Sequence, residues 1–192
     1  MQATDMLFFM LDGIRPMSDG LRNHLISILE VNSFKKKEHL LEMRQVCKRV
    51  TFILEGLIRC YYIDDDGNEI CSWFMKEGDV IIAVASFYSQ TRSFEAIQAL
   101  EKSLVCSITF DQLRDTCELY PEFIYHVLIL TRKYQILFDR EKCLLRSRKD
   151  PLVRMGLMLE IFPDVVTRVA KKHIASYLGI SRYELSRIRF KK

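Results

Sequence analysis

The hydrophobic pattern changes along the chain and divides it into regions of different predicted structure. Residues 20–31, GLRNHLISILEV, place apolar side chains three and four positions apart, a spacing that predicts a helix. From about His39 to Ile108, short apolar runs rich in aromatic and β-branched residues alternate with turn residues. This texture predicts an antiparallel β-sandwich or barrel. After Phe110 the helical spacing returns.

Polar turns separate the apolar segments of the β region. The clearest turn, DDDGN at residues 64–68, predicts a hairpin because Gly67 and Asn68 tolerate positive φ. The predicted strand segments cover residues 49–63, 69–75, 80–87, 93–100 and 103–110.

Residues 121–145 are predicted to form one long helix, with Pro121 in its first turn. Such a helix either covers the sheet of its own chain or pairs with the same helix of a second chain, and we expect both. The residues predicted to form the dimer contact are Ile124, Val127, Leu128, Thr131, Tyr134 and Phe138.

A polar junction around residues 146–151 separates this helix from a terminal helical unit. The pattern therefore predicts an α+β fold in three parts. These parts are a β domain over residues 1–120, a helix over 121–148 and a small helical domain over 149–192.

The sequence of residues 171–189, KKHIASYLGISRYELSRIR, matches a helix-turn-helix unit. Such a unit needs a small residue where the helices cross and a turn residue that tolerates positive φ, and Ala175 and Gly179 supply them. Ser181 can cap the second helix with Glu184 as its reciprocal partner. Apolar residues occupy the remaining inward positions, which are Ile174, Leu178, Ile180, Leu185 and Ile188.

The outer side of this unit is strongly basic. Residues 165–192 carry eight Lys or Arg and one acid, a net charge of +7, whereas the whole chain has +4 and the remainder therefore −3. A local patch of this kind indicates a polyanionic partner, although basic helix pairs can also be merely solvated. The predicted DNA contacts are Lys171, Lys172, Ser181, Arg182, Tyr183, Ser186, Arg187, Arg189, Lys191 and Lys192.

Composition and motifs argue against several other classes of protein. Hydrophobic residues make up 49% of the chain, with only 7 Gly and 4 Pro, which predicts a chain that folds throughout. No apolar stretch approaches the ~20 residues of a membrane span, so we expect a cytoplasmic protein. The six cysteines are widely spaced and contain no C-x-x-C, so no metal or cofactor is expected. Phosphate-binding and hydrolytic motifs are absent, so we expect no catalytic residues and no enzyme.

The stretch HIASYLGISRYELSRIR resembles the DNA-reading helices of the Crp/Fnr family of bacterial transcription regulators, and residues 52–81 resemble that family's sensor domain. The resemblance covers about residue 20 to 192. It implies an N-terminal antiparallel β-roll of the double-stranded β-helix or jelly-roll type. It also implies a homodimer joined along residues 121–145 that binds a two-fold symmetric operator, with RNA polymerase as a further partner.

The chain departs from the family pattern at the cyclic-nucleotide site. A Gly-Glu-Leu triplet is replaced by Ile82-Ala83-Val84, and Ala83 cannot accept a hydrogen bond from a ribose hydroxyl. Arg92-Ser93 does resemble the pair that grips the phosphate. We therefore expect that the sensor domain does not bind cyclic AMP and that these five residues line a cavity for another effector, or for none.

Two further departures concern oxygen sensing and operator choice. The oxygen-sensing branch of the family needs a cysteine cluster near the N-terminus, but the first cysteine is Cys47, so we expect the chain to lie outside that branch. Related regulators commonly carry a glutamate where this chain has Tyr183, so the operator need not resemble the usual one.

The sequence thus predicts a dimeric DNA-binding transcription regulator. The alternative is a sensor or scaffold whose terminal helices contact protein instead of DNA. Salt dependence separates the two, because phosphate contacts weaken steeply with salt.

Overall fold

The computed structural model describes residues 4–188, apart from the side chains of Glu141, Leu144 and Arg146. The helices are α1 (Asp5–Ile14), α2 (Asp19–Ile28), α3 (Val84–Ser89), α4 (Phe110–Leu119), α5 (Glu122–Ser147), α6 (Pro151–Ile161), α7 (Val165–Arg168), α8 (Lys171–Leu178) and α9 (Arg182–Arg187). The strands are β1 (Glu30–Phe34), β2 (His39–Leu41), β3 (Arg49–Glu55), β4 (Ile58–Ile63), β5 (Glu69–Met75), β6 (Val80–Ile81), β7 (Ala96–Ala99) and β8 (Ser103–Thr109).

The strands form two antiparallel four-stranded sheets that face each other. Their orders are β1-β8-β3-β6 and β2-β7-β4-β5, so neighbours in space are mostly distant in sequence. Residues such as Ile53 and Ile97 fill the space between the sheets and are nearly inaccessible to water. This arrangement confirms the predicted α+β fold with an N-terminal antiparallel β-roll.

Two glycines explain how the strands turn. Gly56, between β3 and β4, has φ +107, and a Cβ there would lie 2.2 Å from Oγ of Ser103. Close approach of the two backbones therefore requires glycine at this position. The predicted hairpin joins β4 and β5, and of the two residues that tolerate positive φ only Gly67 adopts it, at φ +81.

Several predicted segments differ from the structure. Only Val80–Ile81 of the predicted strand 80–87 is a strand, and Val84–Ser89 forms α3 instead. The reason is tertiary, because Oγ of Ser86 accepts from the backbone N–H of Cys47 at 2.9 Å and donates to the carbonyl of Thr91. The N-terminal α1 was not predicted, and Pro121 is the residue before α5 instead of its first turn.

The long helix α5 lies along the β-roll, and α6 to α9 follow it. The buried residues of the terminal helices join those between the sheets in one continuous hydrophobic cluster. Within residues 4–188, no helix has the length and apolar character needed to cross a membrane. The cysteines are free thiols, and four of them are buried.

Candidate nucleic-acid interface

Helices α8 and α9 form a helix-turn-helix whose turn is set by Gly179. Its backbone adopts the left-handed conformation, with φ +63, and its N–H donates to the carbonyl of Ser176. Arg154 of α6 donates from Nη1 to the carbonyl of Leu178 at 2.8 Å, so a charged group closes the end of α8. The residues predicted to hold the crossing are buried or packed against the core, namely Ile174, Ala175, Leu178, Ile180, Leu185 and Ile188.

The predicted reciprocal cap at the start of α9 is confirmed. The backbone N–H of Glu184 donates to Oγ of Ser181 at 3.1 Å, and the N–H of Ser181 donates to Oε2 of Glu184 at 2.8 Å. These bonds lower the pKa of Glu184. The one acid in this surface therefore stays ionised and serves to cap α9.

The outward face of α9 is accessible. Arg182, Ser186 and Arg187 are exposed, and Tyr183 is 67% exposed. The guanidinium of Arg187 lies 5.0 Å from the ring centroid of Tyr183, a cation–π distance that orients the arginine along the helix. A short helix with a buried rear and an exposed cationic and aromatic front has the form of a groove-reading element.

The basic residues outside α9 divide into two groups. Lys171 and Lys172 are exposed at the start of α8 and extend the positive surface. Arg168 does not contribute, because it forms ion pairs with Glu77 and Glu101 of the β-roll. The predicted contacts Arg189, Lys191 and Lys192 lie outside the described residues.

The helix-turn-helix packs with its rear against β5 of the same chain. Oγ of Ser176 accepts from the backbone N–H of Cys71 at 2.8 Å and donates to the carbonyl of Glu69 at 2.6 Å. The ring of Phe74 lies 5.3 Å from that of Tyr177. The hydrogen bonds from Arg168 at the edge of this contact lower the pKa of Glu77 to about 2.

A buried arginine occupies the centre of this contact. The side chain of Arg59 is 2% exposed and lies 4.0 Å from the ring centroid of Tyr61. Its guanidinium donates to Gln98 and Glu69 and lies 2.8 Å from Nδ1 of His173 in α8. Burial first, and then the positive charge of Arg59, lower the pKa of His173 to about 4.

The sequence did not point to Arg59, His173 or Arg154 as functional residues. Arg59 stands in an otherwise apolar strand segment, and a charged residue within such a strand was the available signal. Its partner His173 is 114 positions away, so no local pattern connects the two.

A cavity of about 340 Å³ lies between the β-roll and the helices α1 to α5. Of the residues predicted for an effector pocket, Ile82 and Val84 line it. Ala83 is buried beside it, and Arg92 is exposed and not part of the wall. Ser93 is buried, where its hydroxyl donates to the carbonyl of Glu95 at 2.9 Å. The structure thus separates the predicted phosphate-gripping pair from the cavity.

The residues predicted for the dimer contact fall on two faces of α5. Val127, Tyr134 and Phe138 turn toward their own β-roll and line the cavity. The hydroxyl of Tyr134 accepts from the backbone N–H of Val80 at 2.9 Å. Thr131 also lines the cavity, although it is exposed, whereas Ile124 and Leu128 are exposed and lie outside the wall.

The sequence of this chain is similar to those of known proteins. Residues 31–120 match the family model of the cyclic nucleotide-binding domain. Electron transport regulator A of Shewanella oneidensis is 29% identical over 174 residues, which cover 82% of this chain and 67% of that protein. Over most of its length the chain is similar to the Crp/Fnr family of transcription regulators. The curated relatives are regulatory proteins.

Solved structures of other proteins show the same fold. FixK2 from Bradyrhizobium japonicum has a TM-score of 0.73 at 18% identity, covering 83% of this chain and 82% of FixK2. A regulator of the Crp/Fnr family from Eubacterium rectale has a TM-score of 0.70 at 15% identity, covering 89% of this chain and 81% of that one. In both cases the similarity covers more than four fifths of each chain, which is more than the β-roll alone.

Proposed function

We propose that this chain is a Crp/Fnr regulator that acts in the cytoplasm as a homodimer and binds double-stranded DNA at a two-fold symmetric operator. The observation that carries the proposal is the front of α9, where Arg182, Tyr183, Ser186 and Arg187 are exposed together while Leu185 holds the rear. This front enters the major groove, and the start of α8 lies over the phosphates. RNA polymerase is the further partner that transcription regulation requires.

The dimer contact is proposed along the exposed side of α5, opposite the β-roll. This side carries Ile124, Tyr125, Leu128 and Ile136, which are 45–59% exposed. Such a stripe of large apolar side chains, at i, i+4 and longer helical intervals, is typical of a helix that pairs with a second copy. Because Val127, Tyr134 and Phe138 pack within the chain, the proposed contact is confined to this outer stripe.

The domain division supports the same proposal. The β-roll with its flanking helices α1 to α4 senses, α5 joins the two chains, and α6 to α9 bind DNA. These units correspond to residues 1–120, 121–148 and 149–192. Two α9 helices related by the α5 axis then reach half-sites about one helical turn apart, roughly 34 Å.

Arginine and lysine substitutions test the assignment of α9 as the reading element. Arg187 can offer two parallel donors to guanine, a contact worth about 1–3 kcal/mol of discrimination. Arg187→Ala should therefore relax the preference at one base pair of each half-site. Lys171→Ala should instead weaken matched and mismatched operators alike and flatten the salt dependence by about one phosphate per subunit.

Binding of both variants to matched and mismatched operators is measured by fluorescence anisotropy at several salt concentrations. If the two variants lose affinity equally on both kinds of operator, α9 is only an electrostatic anchor and the sequence is read elsewhere. If the wild-type protein binds neither operator even at low salt, where phosphate contacts are strongest, the alternative that the terminal helices contact protein is favoured.

A further inference from the structure

The cavity between the β-roll and α5 has the size of a small-molecule site. Its volume of about 340 Å³ falls within the ~300–1,000 Å³ common for ligand pockets. Side chains of the β-roll and of the helices α1 to α5 line it. The larger side chains of its wall are aromatic and aliphatic, including Phe52, Trp73, Ile82, Phe87, Tyr134 and Phe138.

The charge of the wall decides what kind of molecule fits. Among the described residues that line the cavity there is no Lys, Arg or His, and Glu95 is the only charged side chain. A phosphate or carboxylate placed here would be buried without a counter-charge and beside a carboxylate, which is strongly unfavourable. Anionic ligands, nucleotides among them, do not fit this wall.

Glu95 supplies the charged group of a wall that is mainly apolar. Oγ of Ser72 donates to its Oε1 at 3.1 Å, and its own backbone N–H donates to Oγ of Ser93 at 3.1 Å. Burial raises the pKa of this carboxyl, whereas the bond from Ser72 and the charge of Lys142 oppose the rise. Lys142 itself is not part of the wall, and its Nζ donates to the carbonyl of Ser72 at 2.9 Å. Glu95 therefore holds a fixed acceptor toward the cavity.

We propose that this cavity binds an uncharged, mainly apolar small molecule that carries one hydrogen-bond donor, which Glu95 accepts. The apolar body packs against the aromatic wall, where it is removed from water. The donor gives the ligand a single orientation. The ligand class follows from the sensor domain alone. Only the ligand's effect on DNA binding rests on the proposed function.

Strand β5 connects the cavity to the DNA-binding unit. Trp73 lines the cavity and stacks on Phe138 of α5, with ring centroids 4.8 Å apart. The next residue, Phe74, contacts Tyr177 of α8. Because neighbouring side chains of a strand point to opposite faces, a ligand that moves Trp73 acts one residue away from the contact that holds α8.

A matched pair of fluorescent probes tests the ligand class on DNA-free protein. N-phenyl-1-naphthylamine is uncharged, apolar and has one N–H donor. 8-Anilinonaphthalene-1-sulfonate has the same body with an added sulfonate. The neutral probe should bind saturably, with one molecule per chain, and the sulfonate should bind at least about tenfold more weakly. Equal affinities, or no saturable binding of the neutral probe, would overturn the proposal.

Variants locate the binding to the cavity. Ala85→Trp fills the cavity from α3 and should abolish binding of the neutral probe. If this variant does not unfold cooperatively, Thr131→Trp replaces it, because this change fills the cavity from α5. Leu119→Ser changes an apolar residue that is 65% exposed and lies outside the wall, so it should leave binding unchanged. Binding that survives both filling variants, or that is lost in Leu119→Ser, places the probe on the surface and overturns the proposal.

The role of Glu95 has its own readout. Glu95→Gln keeps an acceptor but removes the negative charge, so the sulfonate should gain about tenfold in affinity while the neutral probe changes little. An unchanged ratio of the two affinities would show that Glu95 does not face the ligand. DNA binding by the same variants is measured separately, so a failure of the ligand proposal and a failure of the DNA proposal give different results.

Discussion

Acid should loosen the contact between the sensor domain and the DNA-binding helices through His173. Nη1 of Arg59 lies 2.8 Å from Nδ1 of His173, and an arginine can only donate. Nδ1 must therefore accept, which requires the neutral imidazole. Protonation would replace this hydrogen bond by two adjacent cations in a buried contact, and the pKa of His173 is accordingly lowered to about 4.

The sign and size of the effect follow from proton linkage. Between pH 6.5 and 4 the unfolded chain binds a proton at His173 that the folded chain does not, so stability falls as the pH falls through this window. A pKa that differs this much between the folded and the unfolded chain lowers the free energy of unfolding by about 2 kcal/mol between pH 7 and pH 5. Partial solvent screening of the ring reduces the expected loss to about 1 kcal/mol.

The matched control is His173→Gln, whose amide oxygen can accept from Arg59 but does not titrate. Urea unfolding of both proteins at pH 7 and pH 5 gives the difference between their pH dependences, in which the contributions of other groups cancel. Between pH 7 and pH 5 the free energy of unfolding of the wild type should fall by about 1 kcal/mol more than that of the variant. An equal loss in the two proteins, or a smaller loss in wild type, would refute the assignment of His173 as a neutral acceptor.

Three other predictions concern the dimer, the ligand and the backbone. Leu128→Glu should give monomers in light scattering, whereas Leu152→Glu, at a similarly exposed position on α6, should stay dimeric; a dimeric Leu128→Glu would move the interface elsewhere. Titration calorimetry should show no saturable heat with cyclic AMP, and a clear isotherm would contradict the reading of the cavity wall. Gly56→Ala should lower the free energy of unfolding by about 2–3 kcal/mol because its Cβ meets Ser103, whereas Gly67→Ala, with open space around it, should cost about 1 kcal/mol; equal losses would mean that the strands separate easily.

The helix-turn-helix was predictable because its determinants are local. Gly179 at positive φ and the cap of Ser181 with Glu184 lie within a few residues of one another, and the apolar positions follow one helical period. The hairpin at Gly67 was recognised for the same reason.

Features that depend on distant contacts were predicted poorly. The apolar run at residues 80–87 has no period that distinguishes a buried strand from a buried helix. The hydrogen bonds of Ser86 with distant residues stabilise the helix α3. On α5, apolar residues occur on the inward and the outward face, so periodicity alone did not assign Tyr134 to the β-roll and Leu128 to solvent. The pairing of Arg59 with His173 arises only when the terminal helices pack on β5.

The central claim, that the exposed front of α9 reads DNA as part of a symmetric dimer, is tested most directly by selecting bound sequences from a random DNA pool. The account predicts an enriched palindrome whose half-sites lie about one helical turn apart, with the Arg187→Ala protein losing preference at one position of each half-site. A pool that stays random, or an enriched sequence without two-fold symmetry, would contradict it.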